Sequence, residues 1–210
     1  MKIKTNKIIR YFILSDFVFW TGWGLINPIF AIFIVDKIEG GSPMVVGIAT
    51  AVFWIVKSIL RIPIGMFLDK CPSEKDDYLA AVLGLFITSL VPFGFIFAKD
   101  PFDIYLLEVF EGAGTALNLA GWTPIFTRHI DKGKESTEWG IDTTAIGIGT
   151  AVAGVVGGWA IGQFGFTPVF IVVGILGLTG TALLLVLRKQ IKGAFDYKSI
   201  QFSPKDNFTS

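Results

Sequence analysis

Apolar residues come along this chain in six long runs separated by short polar links: about Tyr11–Val35, Pro43–Leu68, Tyr78–Ala98, Phe102–Thr127, Glu138–Gln163 and Phe166–Leu187. As helices rising about 1.5 Å per residue, such runs are long enough to cross a hydrocarbon layer of about 30 Å. The pattern predicts an all-α membrane protein of six transmembrane helices, and the short links make consecutive helices antiparallel neighbours. The punctuation agrees. Gly40-Gly41-Ser42-Pro43 opens the second segment, Asp100-Pro101 precedes the fourth, and Asp131-Lys132-Gly133-Lys134 turns into the fifth.

Polar positions inside the runs are few and ordered. In the fourth segment Glu108, Glu111, Thr115, Asn118 and Trp122 step by three and four, which puts them on one helix face. An acid at the bilayer centre costs roughly 2.5–3.5 kcal/mol on insertion scales, so this stripe must face protein or water. The first segment carries Asp16, Trp20, Trp23 and Asn27 at the same spacing, and Pro28 then predicts a kink in its outer half. The second carries Thr50, Trp54, Lys57 and Arg61. In the fifth, Gly147, Ala151, Gly154, Gly158 and Gly162 form a small-residue face suited to close helix packing. The third and sixth segments lack interior charge and read as peripheral, lipid-facing supports.

Composition and charge place this bundle. Hydrophobic residues make up 52% and charged ones 17%, against roughly 25% charge in soluble domains. A multi-pass protein of the cell membrane is implied. Fourteen of eighteen Lys and Arg fall in the N-terminus (Lys2, Lys4, Lys7, Arg10), the second-to-third link, the fourth-to-fifth link and the tail, whereas the alternate links hold only Lys37 and Lys99. Both termini are therefore expected in the cytoplasm. The basic start precedes an apolar run too long for a signal peptide and without a small-residue cleavage site. The expected organisation is a basic N-terminus over residues 1–10, a membrane domain over 11–189 and a polar tail over 190–210. One cysteine, Cys71, excludes an internal disulfide, and His129 is expected to be solvated in its polar turn. Asn207-Phe208-Thr209 fits the glycosylation pattern but is inert on a cytoplasmic tail.

Depths and repeats follow from the same reading. Lys57 lies about 16 Å from the inner end of its helix and Glu111 about 14 Å from the outer end of its own, so both fall near the midplane and a pair between them is geometrically allowed. Arg61 falls level with Asp16 and with Asp142 of the fifth segment, and several pairings are open. Gly47-Ile48-Ala49-Thr50-Ala51-Val52 and Gly147-Ile148-Gly149-Thr150-Ala151-Val152 agree at five of six positions. They sit in the second and fifth segments, which run in opposite senses. Inverted repeats of three helices, about 11–98 and 102–187, are predicted.

Several local motifs then come into order. Arg61-Ile62-Pro63-Ile64-Gly65-Met66-Phe67-Leu68-Asp69-Lys70 has a Gly, three residues, an Asp and a basic residue in the second-to-third link. Glu111-Gly112-Ala113-Gly114-Thr115-Ala116 lies in the fourth helix, Ala153-Gly154-Val155-Val156-Gly157-Gly158 in the fifth, and Phe164-Gly165-Phe166-Thr167-Pro168 at the passage to the sixth. In order and placement the chain resembles one half of a major facilitator superfamily transporter, from about Tyr11 to Lys189. The resemblance implies a cytoplasmic gate at Gly65, Asp69 and Lys70. It has departures: Cys71-Pro72-Ser73-Glu74 replaces the usual basic continuation, Glu108 stands where the family's fourth helix has Arg, and Gly154 stands where its antiporters have Pro.

The family fold is two six-helix halves with substrate between them. Six helices with both termini inside can pair about a two-fold axis normal to the membrane. The reading is a homodimer moving a small solute by alternating access, with Asp69 of one copy against Ile141–Thr144, including Asp142, of the other. Its substrate and proton pathway would comprise Asp16, Trp20, Trp23, Asn27, Trp54, Lys57, Arg61, Glu108, Glu111, Asn118 and Trp122, with Lys57 switching Glu111 between protonated and ionised forms. Sugars, organic anions, amphipathic drugs and peptides all fit such a set. The alternatives are an obligate partner of a different half-transporter and a non-transporting receptor or scaffold. One His and one Cys, both in links, provide neither a metal cluster nor a nucleophile–base pair in the bilayer. No nucleotide-binding loop occurs, so the expectation is no enzyme, no metal, no cofactor and no nucleic acid.

Overall fold

The computed structural model describes residues 6–71 and 73–191, the side chains of 188–191 excepted. Lys2, Lys4 and the tail from 192 onward, with Asn207, lie outside the described residues. Seven α-helices make six rods: α1 (Lys7–Gly24) continued by α2 (Phe30–Lys37), then α3 (Pro43–Lys70), α4 (Glu74–Phe95), α5 (Pro101–His129), α6 (Glu135–Phe164) and α7 (Phe166–Ile191). Five of the six rods are long and apolar enough to cross a membrane. The sixth, α5, has 29 residues; it is long enough, but Glu108, Glu111 and Asn118 in its interior make it more polar than the rest.

The helix ends follow from the residues that cap them. Ser42 accepts from the Val45 amide at 3.3 Å, and Asp100 accepts from the Phe102 amide at 2.8 Å and the Asp103 amide at 3.1 Å. Each cap satisfies N–H groups that have no partner inside the helix. Gly165 at φ +79° ends α6 in a conformation side-chained residues avoid. The first rod breaks as Pro28 predicts: a short 3-10 turn, Asn27–Ile29, separates α1 from α2.

The rods pack in the order α3, α5, α4, α7, α1, α6. Exchanging the first three for the last three reproduces that order read backwards. The expectation that the third and sixth segments are peripheral needs correcting, because α4 and α7 form the middle of the bundle. Tyr78 on α4 donates to the Leu184 carbonyl of α7 at 3.0 Å, and the Ser89 and Thr181 hydroxyls meet at 3.3 Å. The most exposed rods are α3 and α6, with 11% and 17% of their apolar windows buried, against 56% for α4.

Close backbone approach decides which glycines matter. In a membrane, packing and interhelical hydrogen bonds replace the hydrophobic effect, so small residues mark contacts. On α6 the contact runs through Gly149, Ala153 and Gly157, and a Cβ on Gly157 would stand 1.9 Å from the Leu25 carbonyl oxygen. The predicted face is displaced from it. A Cβ on Gly154 would make ordinary contact with Pro28 at 3.5 Å, and Gly147, Gly158 and Gly162 have open space. Both glycine sets satisfy small-residue spacing, and only the position of α1 separates them. Between α4 and α5, a Cβ on Gly84 would lie 2.2 Å from the Asn118 nitrogen and one on Gly121 2.0 Å from the Asp77 carbonyl oxygen.

Candidate functional site

Polar faces of α1, α3 and α5 converge on one cavity. Spacing by three and four keeps Trp20 and Trp23 together on α1, Thr50, Trp54 and Lys57 on α3, and Glu108, Glu111 and Thr115 on α5. With Asn27 they line a space of about 320 Å³. Phe19, Phe30, Phe53 and Thr88 complete its wall. Sequence reasoning missed these four: a Phe among twenty in the chain does not announce which face it occupies, and Thr88 lies in the third segment, which reads as peripheral.

The charges in this cavity are under-compensated. Glu108 is 5% exposed, and no hydrogen bond or ion pair reaches its carboxylate among the described residues. Glu111 is half-buried and lies within electrostatic reach of both Glu108 and Lys57. A direct Lys57–Glu111 ion pair, which their depths allow, does not form. The Lys57 ammonium instead sits 4.1 Å from the Trp54 ring centroid and 5.2 Å from that of Phe53. Phe53 and Trp54 lie four and three residues back on the same helix face, which brings both rings within reach.

Four predicted pathway residues lie elsewhere. Asn118 donates from Nδ2 to the Ala81 carbonyl of α4 at 2.8 Å, and Trp122 stacks on Phe126 at 4.6 Å between centroids. Both are on the same stripe of α5 as Glu108. Beyond Thr115, however, the Gly84, Gly114 and Gly121 contacts bring α4 against that helix and close the cavity floor. Asp16 is buried within electrostatic reach of Asp142. Asp142 is itself buried within the bundle. Its Oδ1 and the Oε1 of Glu138 are buried without a hydrogen-bond partner among the described residues, and the indole nitrogen of Trp122 is buried on the Asp16 side. Arg61 lines a separate shallow groove with Gly65 and Asp69, while Lys70 is exposed at the end of α3.

A second charged cluster ties the polar ends of three helices. Arg128 Nε meets Glu74 Oε1 at 3.1 Å, its Nη2 meets Asp77 Oδ2, and His129 Nε2 lies 3.2 Å from Glu74 Oε2. The Asn6 amide donates to the His129 carbonyl, and its Oδ1 accepts from the Ile9 amide at 2.9 Å. His129 is thus part of a buried network, contrary to the expectation of a solvated side chain. The cause is that α4 starts at Glu74, a turn before the predicted Tyr78, which carries both acids to the end of α5. Acids at a helix N-terminus also suit its partial positive charge.

Among the described residues no three His, Cys, Asp or Glu side chains converge as metal ligands. A family model described as Major Facilitator Superfamily matches residues 12–201. No curated protein matches the chain.

Proposed function

This chain belongs to the major facilitator superfamily, a family of membrane transporters, and from that premise we propose that two copies pair to carry a small solute by alternating access, coupled to protons. The observation that carries the proposal is the unfinished cavity wall. Lys57 and Glu111 are half-buried in the middle of long helices, and Trp54 at the rim is 53% exposed. Hydrocarbon cannot serve an ammonium and a carboxylate there, so a second protein surface and water must cover them. The two most exposed rods, α3 and α6, stand at the two ends of the packing order, on either side of α5 and α1. Their faces are the surface a second unit would meet.

With both termini in the cytoplasm, a two-fold axis along the membrane normal brings the two cavities together. The packing order, unchanged by exchange of its halves, supports a three-plus-three inverted construction. Asp69 and Thr143 are both exposed and would meet across the axis, holding the cavity closed to the cytoplasm. Glu108 and Glu111 would carry the proton, with Lys57 as the movable counter-charge.

The pairing is tested by cross-linking. In a Cys71→Ser background, Asp69→Cys combined with Thr143→Cys should give a disulfide-linked dimer in native membranes, and a chain that stays monomeric under oxidation overturns the packing. Coupling is tested by solute uptake into vesicles under an imposed pH gradient. Glu111→Gln should abolish the gradient's effect, and unchanged gradient dependence would remove Glu111 from the proton route.

A further inference from the structure

The cavity itself indicates a substrate class. Six aromatic rings, from Phe19, Trp20, Trp23, Phe30, Phe53 and Trp54, share its wall with the carboxylates of Glu108 and Glu111. Aromatic faces carry negative potential and attract cations, Trp most strongly. Carboxylates without partners add the same preference. One cation is already seated there: Lys57 places its ammonium 4.1 Å from the Trp54 ring centroid. Once both carboxylates are ionised, that single ammonium leaves the lining one positive charge short.

We propose that this cavity binds organic cations, specifically ammonium compounds bearing an apolar or aromatic group, and that the incoming cation displaces Lys57 from the Trp54 ring and is held by Glu108. The inference rests on the transport reading for its purpose, but not for its geometry. Glu108 is 5% exposed with no hydrogen bond or ion pair among the described residues, and it lines the cavity directly. A carboxyl so buried is costly to ionise until a cation arrives, and an arriving cation offsets that cost, which suits it to binding one. An anionic solute would meet the opposite terms, with only Lys57 in its favour. A sugar would find hydrogen-bond partners in Asn27, Thr50, Thr88 and Thr115, but would bring no counter-charge to the carboxylates.

The test is equilibrium binding to the full chain in phosphatidylcholine nanodiscs, read by tryptophan fluorescence with empty nanodiscs as baseline. The probe is benzyltrimethylammonium, compared with its neutral carbon isostere neopentylbenzene and with benzenesulfonate. The cation should saturate, with the neutral and anionic probes at least tenfold weaker. Glu108→Gln should weaken the cation about tenfold, and Trp54→Leu, at an exposed rim position, should weaken it several-fold even if the buried variant fails to fold. Lys57→Met should tighten it, because the internal competitor is gone. Equal binding of all three probes, or stronger binding of benzenesulfonate, overturns the proposal. The assay needs no gradient and no flux: a chain that binds the cation but carries nothing keeps this inference and sinks the transport reading. One that carries an anion does the reverse.

Discussion

Glu74 and Asp77 at the start of α4, and Glu108 and Glu111 in the middle of α5, are both acid pairs three residues apart on one helix, yet their surroundings are opposite. The α4 pair is almost fully buried and held by Arg128 and His129 through three side-chain contacts. The α5 pair lines a cavity, and no ion pair reaches it among the described residues. A buried charge that is paired and hydrogen-bonded is stable but fixed. One that faces a cavity without a partner keeps its free energy available to whatever enters. The bundle therefore spends Arg128 where rigidity is needed, and leaves the α5 acids for binding.

Breaking the paired side should have the largest effect. Arg128→Ala removes the guanidinium from two acids that are 2% and 1% exposed, and loss of one partner of a buried pair costs about 3–5 kcal/mol. The variant should show a sharply lower thermal midpoint or fail to fold in detergent. A midpoint matching the parent chain would mean that the cluster is solvated and that the contrast with α5 is false.

Replacing one acid on each side sharpens the contrast by sign. Glu74→Gln gives up charge-assisted bonds to Arg128 and His129, and should destabilise by about 1.5–3 kcal/mol. Glu108→Gln removes a buried carboxyl with no ion-pair partner among the described residues, so its midpoint should stay level or rise while ligand binding falls. Thermal melts of the two variants side by side decide this. A Glu108→Gln chain as unstable as Glu74→Gln would show that Glu108 has a structural partner after all.

Much of this contrast was legible in the chain, and where it was not the reason is geometric. Helical spacing found Trp20, Trp23, Trp54, Lys57, Glu108 and Glu111 and put them on faces that do converge. The same spacing put Asn118 and Trp122 on the Glu108 stripe, correctly as to face and wrongly as to surroundings. Periodicity gives a direction around one helix; it says nothing of which neighbour crosses that direction at each depth. The crossing is set by α4 approaching through Gly84 and Gly121, glycines in two different segments that no single-helix pattern links. The α4 acids were missed for a related reason. Their run of Glu74, Lys75, Asp76 and Asp77 reads as a solvated link, and only the start of α4 at Glu74 turns it toward Arg128.

The wall between the two regions offers a smaller perturbation. A Cβ on Gly121 would stand 2.0 Å from the Asp77 carbonyl oxygen, so Gly121→Ala must push α4 away from α5. Overpacking of this kind costs about 1–3 kcal/mol. The displacement should also open the cavity floor toward the Arg128 cluster. Gly147→Ala on α6, where nothing lies within 4 Å, is the matched control and should be silent. Melts of both variants check the first point, and maleimide labelling of a cysteine placed at Asn118 in a Cys71→Ser background checks the second. If Gly121→Ala melts like Gly147→Ala, the two acid pairs are not separated by this contact.

The smallest effect belongs to an acid–base pair outside the membrane-spanning helices. Lys134 Nζ lies 2.8 Å from Asp131 Oδ2 in the turn before α6, with Asp131 37% and Lys134 45% exposed. Their mutual contact holds the Asp131 carboxyl below its ordinary range and the Lys134 ammonium above its own. Stability from the depressed acid is present above its unfolded value of about 3.9 and is lost as pH falls through the lower folded value. Stability from the raised base is present below about 10.4 and is lost as pH rises through the higher folded value. The pair therefore contributes between those limits, weakly, because water and salt screen it. Lys134→Gln should lower the melting midpoint slightly at pH 7, and the gap should close in strong acid or high salt. The geometry of this pair is as good as that of Arg128 with Glu74, so a gap as wide as that of Arg128→Ala would mean that burial is not what separates fixed charges from available ones in this bundle.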